Sequence, residues 1–324
     1  MHTVTYKNAP SSWNEALPLG NGHFGGMVFF EDHTLKMAMN HYEVYYQKLH
    51  RYSQKYRNGD GPRYDRQYGY TYDELRQRAS DMYRNPDQGP LFLYGDALSS
   101  NNMHRKYGKP SGGASHYPTG EIHLFPSEKL ADPDSSSLQL NVEQASVRLR
   151  MEKGEDRLDV HTIVSQGSDY VISEINQTNA ALLQSVSLTI PFRRYVDMNI
   201  QYHQLDDTTF YYKGSFYPDG EDKERYGPFS FLVMIRLLGA KGSAEVTSES
   251  IRINLLEAEK TMTLLTTVVT EEETKDLLQT ALERLDKSVQ QVKELGESHQ
   301  AHWRSFWSRS SITLPDRMIE DLWY

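Results

Sequence analysis

The chain has 324 residues, a formal net charge of −9 and no cysteine. That length builds one large domain or two modest ones, and the missing thiols exclude disulfides, a cysteine nucleophile and a cysteine-based zinc site. The acidic balance argues against a nucleic-acid partner, which needs clustered Lys and Arg to neutralise phosphates.

In chain order, Thr3 to Tyr6 reads as a first strand, ended by Pro10 and two serines. A Gly-rich turn follows, with glycines at 20, 22, 25 and 26 around Asn21 and His23. Glycine lets such a loop take positive φ angles or a close neighbour. The apolar run Met27 to Phe30 then reads as a buried strand. Thr34 to Met39 alternates apolar and polar residues, so the two strands predict a hairpin across Glu31-Asp32-His33. A phosphate loop is excluded, because the turn lacks both the Lys-Ser/Thr ending and a following helix. A Trp, an Asn and a His beside a Gly-rich turn suit a sugar, which needs a flat apolar face and several hydrogen bonds.

Residues 44–115 read as an irregular insertion. It holds a predicted helix over Tyr72 to Tyr83 and a basic stretch, Lys48 to Arg66, interleaved with tyrosines. Against the acidic background that stretch reads as a solvated loop or a sugar-facing surface, not as a single-strand binder.

From Ile122 the pattern is β-type. Short alternating runs bounded by polar turns recur: Ile122–Phe125, Leu138–Val142, Ser146–Met151, Leu158–Val164, Tyr170–Ile175 and Leu182–Ile190. Thr209–Lys213, Phe229–Leu238, Ala244–Thr247, Ile251–Leu255 and Met262–Val269 continue the series. Such spacing predicts an antiparallel β-sandwich of two large sheets. The acidic loop Asp219 to Glu224 lacks EF-hand spacing and reads as a solvated hairpin tip.

At Glu271 the period changes to that of a helix. Leu277, Ala281, Leu285, Val292 and Leu295 make one apolar stripe, and Gly296 is expected to weaken or end it. A second helical piece carries His299, Trp303, Phe306 and Trp307, and Leu314-Pro315-Asp316 opens a further helix toward Trp323. Three of the four tryptophans lie in the last 22 residues. Each Trp buries ~150–250 Å², so His299, Trp303, Phe306, Trp307 and Trp323 are expected to form an interface with something further along the natural chain. The alternative is that they fold back onto the sandwich.

The segment Trp13-x-Glu15-Ala16-Leu17-Pro18-Leu19-Gly20-Asn21-Gly22-x-x-Gly25-x-Met27-Val28 closely resembles the opening signature of glycoside hydrolase family 95, the α-L-fucosidases and related α-L-galactosidases. Three later stretches agree in order: Met39-Asn40-x-x-Glu43, Tyr117-Pro118-x-Gly120-Glu121-Ile122-x-Leu124-x-Pro126, and His299-x-x-x-Trp303-x-x-Phe306-Trp307. His23 stands where the family commonly has Arg, and Glu43 falls later than usual. The resemblance implies a mainly β fold: a large antiparallel two-sheet super-sandwich, galactose-mutarotase-like, over residues 1–270, followed by an α-helical linker over 271–324. It further implies that the general acid lies in an (α/α)6 barrel of the same polypeptide, so this chain has no catalytic residue of its own and is inactive alone.

On that reading the chain supports the barrel and shapes one edge of a carbohydrate cleft, with Trp13, Asn21, His23, Asn40 and Glu43 as candidate substrate-binding residues. For each, a purely structural role stands beside this one; Asn21, for instance, tolerates a left-handed turn. Glycosidases use two carboxyl groups roughly 5–10 Å apart, and 44 acidic residues are too many to choose a pair by counting. No Gly-x-Ser-x-Gly elbow supports a serine triad. No metal site or cofactor is expected: His299 and His302 are spaced i,i+3 without the Glu of a zincin helix. Two other readings are kept, a stand-alone sandwich of aldose-epimerase type using His and Glu, and a non-catalytic carbohydrate-binding module. No apolar run approaches the ~20 residues that span a bilayer and no basic-then-apolar leader opens the chain, so a cytoplasmic place is expected, or a secreted one if a signal peptide was removed. A homodimer is compatible with all of this.

Overall fold

The computed structural model describes residues 2–7, 15–46, 115–190, 198–216, 228–316, 319–320 and 323. The candidate residue Trp13, the predicted helix at 72–83, nearly all of the irregular insertion and the acidic loop 219–224 lie outside these described residues.

Among them the strands are β1 Thr3–Tyr6, β2 Leu17–Gly20, β3 Phe24–Glu31, β4 Thr34–Tyr46, β5 Ser115–Pro126, β6 Ser135–Asn141 and β7 Ser146–Lys153. They continue as β8 Asp156–Val164, β9 Tyr170–Gln177, β10 Leu183–Thr189, β11 Met198–Gln204, β12 Thr209–Phe216, β13 Phe229–Val246 and β14 Ser250–Thr270. One long helix, α1, spans Leu277–Arg309. The strands run β1-β6-β7-β8-β9-β14-β10-β5-β4-β3-β2, with β13, β12 and β11 branching from β14.

The fork at β14 turns one hydrogen-bonded sheet into two layers. Thr261 to Thr267 of β14 pair with β9, whereas Ser250 to Asn254 pair with β10. β13 follows β14 along both halves, with register shifts at Leu238/Ala240 and Lys241/Gly242. One layer therefore contains β6 to β9 and the other β2 to β5 with β10. β2 lies across β6, β7 and β8.

Strand periodicity decides what fills the space between the layers, because successive side chains point to opposite faces. Phe231, Val233 and Ile235 of β13 and Met262, Leu264 and Val268 of β14 face the main core with Val160, Val186, Ile122, Met39 and Phe24. Their sequence neighbours Leu232, Met234, Leu265 and Val269 face outward and form a second core with Ile163, Tyr170 and Ile172. The first half of α1 covers this outer face through Leu277, Ala281 and Leu285. Asp276 caps the helix by accepting a hydrogen bond from the Gln279 N–H at 3.1 Å. The mainly β, two-layered antiparallel fold with a following helix is therefore the one expected.

Three expectations need correction. β13 and β14 are single strands where two pairs of short ones were expected, because Gly239 to Ser243 in β13 and Glu257 to Lys260 in β14 break the apolar alternation while the strands stay joined at Ala240↔Ala258 and Lys241↔Glu257. The Gly-rich segment is mostly strand: Leu19 pairs with Gly26 and Gly20 with Gly25, leaving only Asn21 to His23 as the turn. Gly296 does not interrupt α1, because the long helix is held by its contacts on either side of that residue rather than by propensity.

Candidate functional site

The β2–β3 turn is built around Asn21. Its side-chain oxygen accepts from the His23 and Phe24 N–H groups at 2.9 and 2.8 Å. Its amide nitrogen donates to the carbonyls of Ser165 and Ser168 at 2.8 and 2.9 Å, in the β8–β9 turn. Both ends of the amide are engaged, so Asn21 ties two turns together instead of facing a ligand. The residue with positive φ is Gly22, at 93°, and not Asn21. Gly26 answers a different need, since a Cβ there would lie 2.6 Å from the Met37 Cε and 2.8 Å from the Ala38 carbonyl.

β3 pairs with β4 so that Gly25 opposes Asn40 and Phe24 opposes His41, and the Tyr42 N–H donates to the His23 carbonyl at 2.9 Å. This register brings His23, Asn40 and Glu43 to one end of the sheet, as the hairpin reading expects. An open depression of about 240 Å³ lies there, lined by the turn glycines with His23, Asn40 and Tyr42. Tyr42 is 45% exposed and its ring lies 4.6 Å from that of His23. Two rings beside an exposed amide provide one apolar surface and several hydrogen-bonding groups.

Behind the depression is a group of charged side chains from distant segments. The Tyr42 hydroxyl donates to Glu43 Oε1 at 2.8 Å, and the Thr270 hydroxyl donates to Glu43 Oε2. The hydrogen bond and negative charge of Glu43 push the Tyr42 phenol above its ordinary value. His41 is 1% exposed, and its Nε2 has no hydrogen-bond partner; Asp169 Oδ2 lies 3.7 Å away. Burial raises the Asp169 carboxyl, but the imidazole of His41, then the charges of Arg284 and His23, outweigh it and bring the group below its ordinary value. Arg284, from α1, pairs with Glu273 and donates to the Val268 carbonyl at 2.9 Å. Tyr42, His41, Asp169, Glu273 and Arg284 were not expected from the sequence. Only the Asn40-to-Glu43 stretch carried a signal for this place.

The expected interface residues divide. His299 is buried, and its Nε2–H donates to the Gln144 carbonyl at 2.8 Å. Burial pushes its imidazole below the ordinary value, against the opposing pull of the Gln144 and Ala145 carbonyls. The Trp307 Nε1–H donates to the Val142 carbonyl at 3.1 Å, in the same β6–β7 turn. These two fold back onto the sandwich. Trp303 stacks on Trp307 at 6.4 Å, and its Nε1 is buried without a hydrogen-bond partner. Phe306 and Trp323 remain 38% and 47% exposed at the edge of the same aromatic group.

Comparison with known proteins gives the chain its family. Residues 4–275 match the family model described as glycosyl hydrolase family 65, N-terminal domain. No curated protein sequence matches the chain. Among solved structures, one described as a kojibiose phosphorylase from the human microbiome superposes with a TM-score of 0.50 at 10% identity, over 94% of this chain and 38% of that one. The likeness is therefore one of fold, and the chain spans well under half of that protein's length. A family 92 α-mannosidase from Bacteroides thetaiotaomicron gives a TM-score of 0.25 at 10% identity, over 61% of this chain and 27% of that one, and bears no further argument. The match covers most of the sequence and both layers of the sandwich, and the chain belongs to the family of glycosyl hydrolase family 65 N-terminal domains.

Proposed function

We propose that this chain is the non-catalytic N-terminal β-domain and linker of a carbohydrate-active enzyme. It supports an (α/α)6 catalytic barrel of the same polypeptide and forms one edge of its sugar cleft. The observation that carries this reading is the match of residues 4–275 to an N-terminal domain and not to a catalytic one. Two features support it. Phe306 and Trp323 present apolar surface beside a group of indoles, as a docking edge does. His23, Asn40 and Tyr42 line an open depression with the mixed apolar and polar character a sugar needs. In the finer reading, the resemblance of residues 13–28 to the family 95 signature points to α-L-fucosides or α-L-galactosides as substrates.

The test compares this chain with the longer gene product on aryl α-L-fucosides, aryl α-L-galactosides and, with phosphate, kojibiose. The chain alone is expected to give no turnover and the longer product to act on one of the three. Turnover by the chain alone would instead favour an epimerase-like or other self-sufficient sandwich. In the longer product, Tyr42→Ala is expected to raise KM more than it lowers kcat.

A further inference from the structure

We propose that His41, Glu43 and Glu273 form a binding site for a divalent transition-metal cation of the Zn²⁺ or Mn²⁺ type. One ring nitrogen of His41 and one carboxylate oxygen from each glutamate lie within 4.8 Å of one another. Three ligands held at about 2.0–2.2 Å from one ion lie about 3.3–3.8 Å apart, so closing the set moves each ligand atom inward by up to about 0.7 Å, within reach of side-chain torsions. One imidazole and two carboxylates suit a borderline cation better than Ca²⁺, which takes oxygen ligands.

Three independent features distinguish this group from an ordinary acidic surface. His41 is buried, and its Nε2 makes no hydrogen bond, with Asp169 Oδ2 facing it at 3.7 Å. The carboxylates are already oriented by neighbours. Tyr42 and Thr270 donate to the two oxygens of Glu43, and Arg284 pairs with Glu273. Outer partners of this kind fix ligand geometry in metal sites. The carboxylates of Glu43, Glu273 and Asp169 meet one guanidinium, Arg284, beside the His41 imidazole, and a divalent ion would add positive charge among them. The ligands come from β4 and from the link between β14 and α1, so the ion would also clamp the helix entry to the second layer.

The experiment uses the 324-residue chain after dialysis against EDTA. Mn²⁺ is titrated while its free EPR signal is followed, and Zn²⁺ is added in thermal melts. One Mn²⁺ per chain and a Zn²⁺-dependent rise in Tm are expected. Glu43→Gln and Glu273→Gln should each weaken Mn²⁺ binding roughly tenfold or more, while Glu174→Gln, beside His161 and outside this group, should leave it unchanged. Circular dichroism of the near-isosteric variants separates lost folding from a lost ligand. No stoichiometric Mn²⁺ at millimolar metal, or equal binding by folded Glu43→Gln and Glu273→Gln, overturns the proposal.

Discussion

The two halves of α1 are attached to the same sandwich by different physics. The first half buries Leu277, Ala281 and Leu285 against Leu232, Met234, Leu265 and Val269, so apolar area holds it, with Arg284 and Tyr170 adding hydrogen bonds to the Val268 and Arg284 carbonyls. The second half has His299 and Trp307 reaching one turn through ring N–H donors, and its aromatic side chains contact one another as much as the sheet. Apolar burial is insensitive to direction and to pH, whereas a ring pegged to a carbonyl is sensitive to both. The first half thus belongs to the domain's core, and the second is an adjustable end.

The largest effect that would sharpen this contrast is expected at Leu285. Leu285→Ala should cost about 2–5 kcal/mol in urea unfolding, and a cost below about 1 kcal/mol would break the comparison. His299 should give the next effect, and it should depend on pH. Its folded imidazole titrates below the ordinary value, so the unfolded chain binds more protons as pH falls through about 6.5. Stability should therefore drop on acidification across that window, and His299→Gln should flatten the slope there. Asp169 adds a separate loss at lower pH, since a depressed carboxyl contributes stability above about pH 4 that disappears on protonation. Trp307→Phe removes the N–H donor and part of the indole while keeping an aromatic ring, and should cost at least about 0.5–1.5 kcal/mol from the lost hydrogen bond. Gly296→Ala lies between the two halves, where an added Cβ meets nothing within 4 Å. It should gain about 0.5–1 kcal/mol through helix propensity, measured as a small rise in Tm.

Much of this architecture was legible because local periodicity and burial coincide. The stripe through Leu277, Ala281 and Leu285 repeats at helical spacing, and β7 alternates buried and exposed residues. β2 escaped notice because Pro18 interrupts a four-residue strand, and β11 because its exposed pattern carries little apolar signal. The expected break in β14 falls at Glu257 to Lys260, a mostly exposed stretch where the ladder with β13 shifts register but does not end. The charged group fared worst. His41, Asp169 and Glu273 are far apart in the chain and meet only because β4, the β8–β9 turn and the end of β14 converge. No spacing rule registers such a meeting. Asn21 shows the reverse: a residue type suited to ligands, fully occupied by backbone groups.

The 21-residue strand β14, bonded along one edge to β9 and then to β10, has a mechanical implication. Neither layer has its own seam along which it can peel away, because both are stitched to the same ribbon. Amide protons of Thr261 to Thr267 and of Ser250 to Asn254 should exchange with solvent together, as one foldon. A break anywhere along that ribbon would loosen both sheets at once.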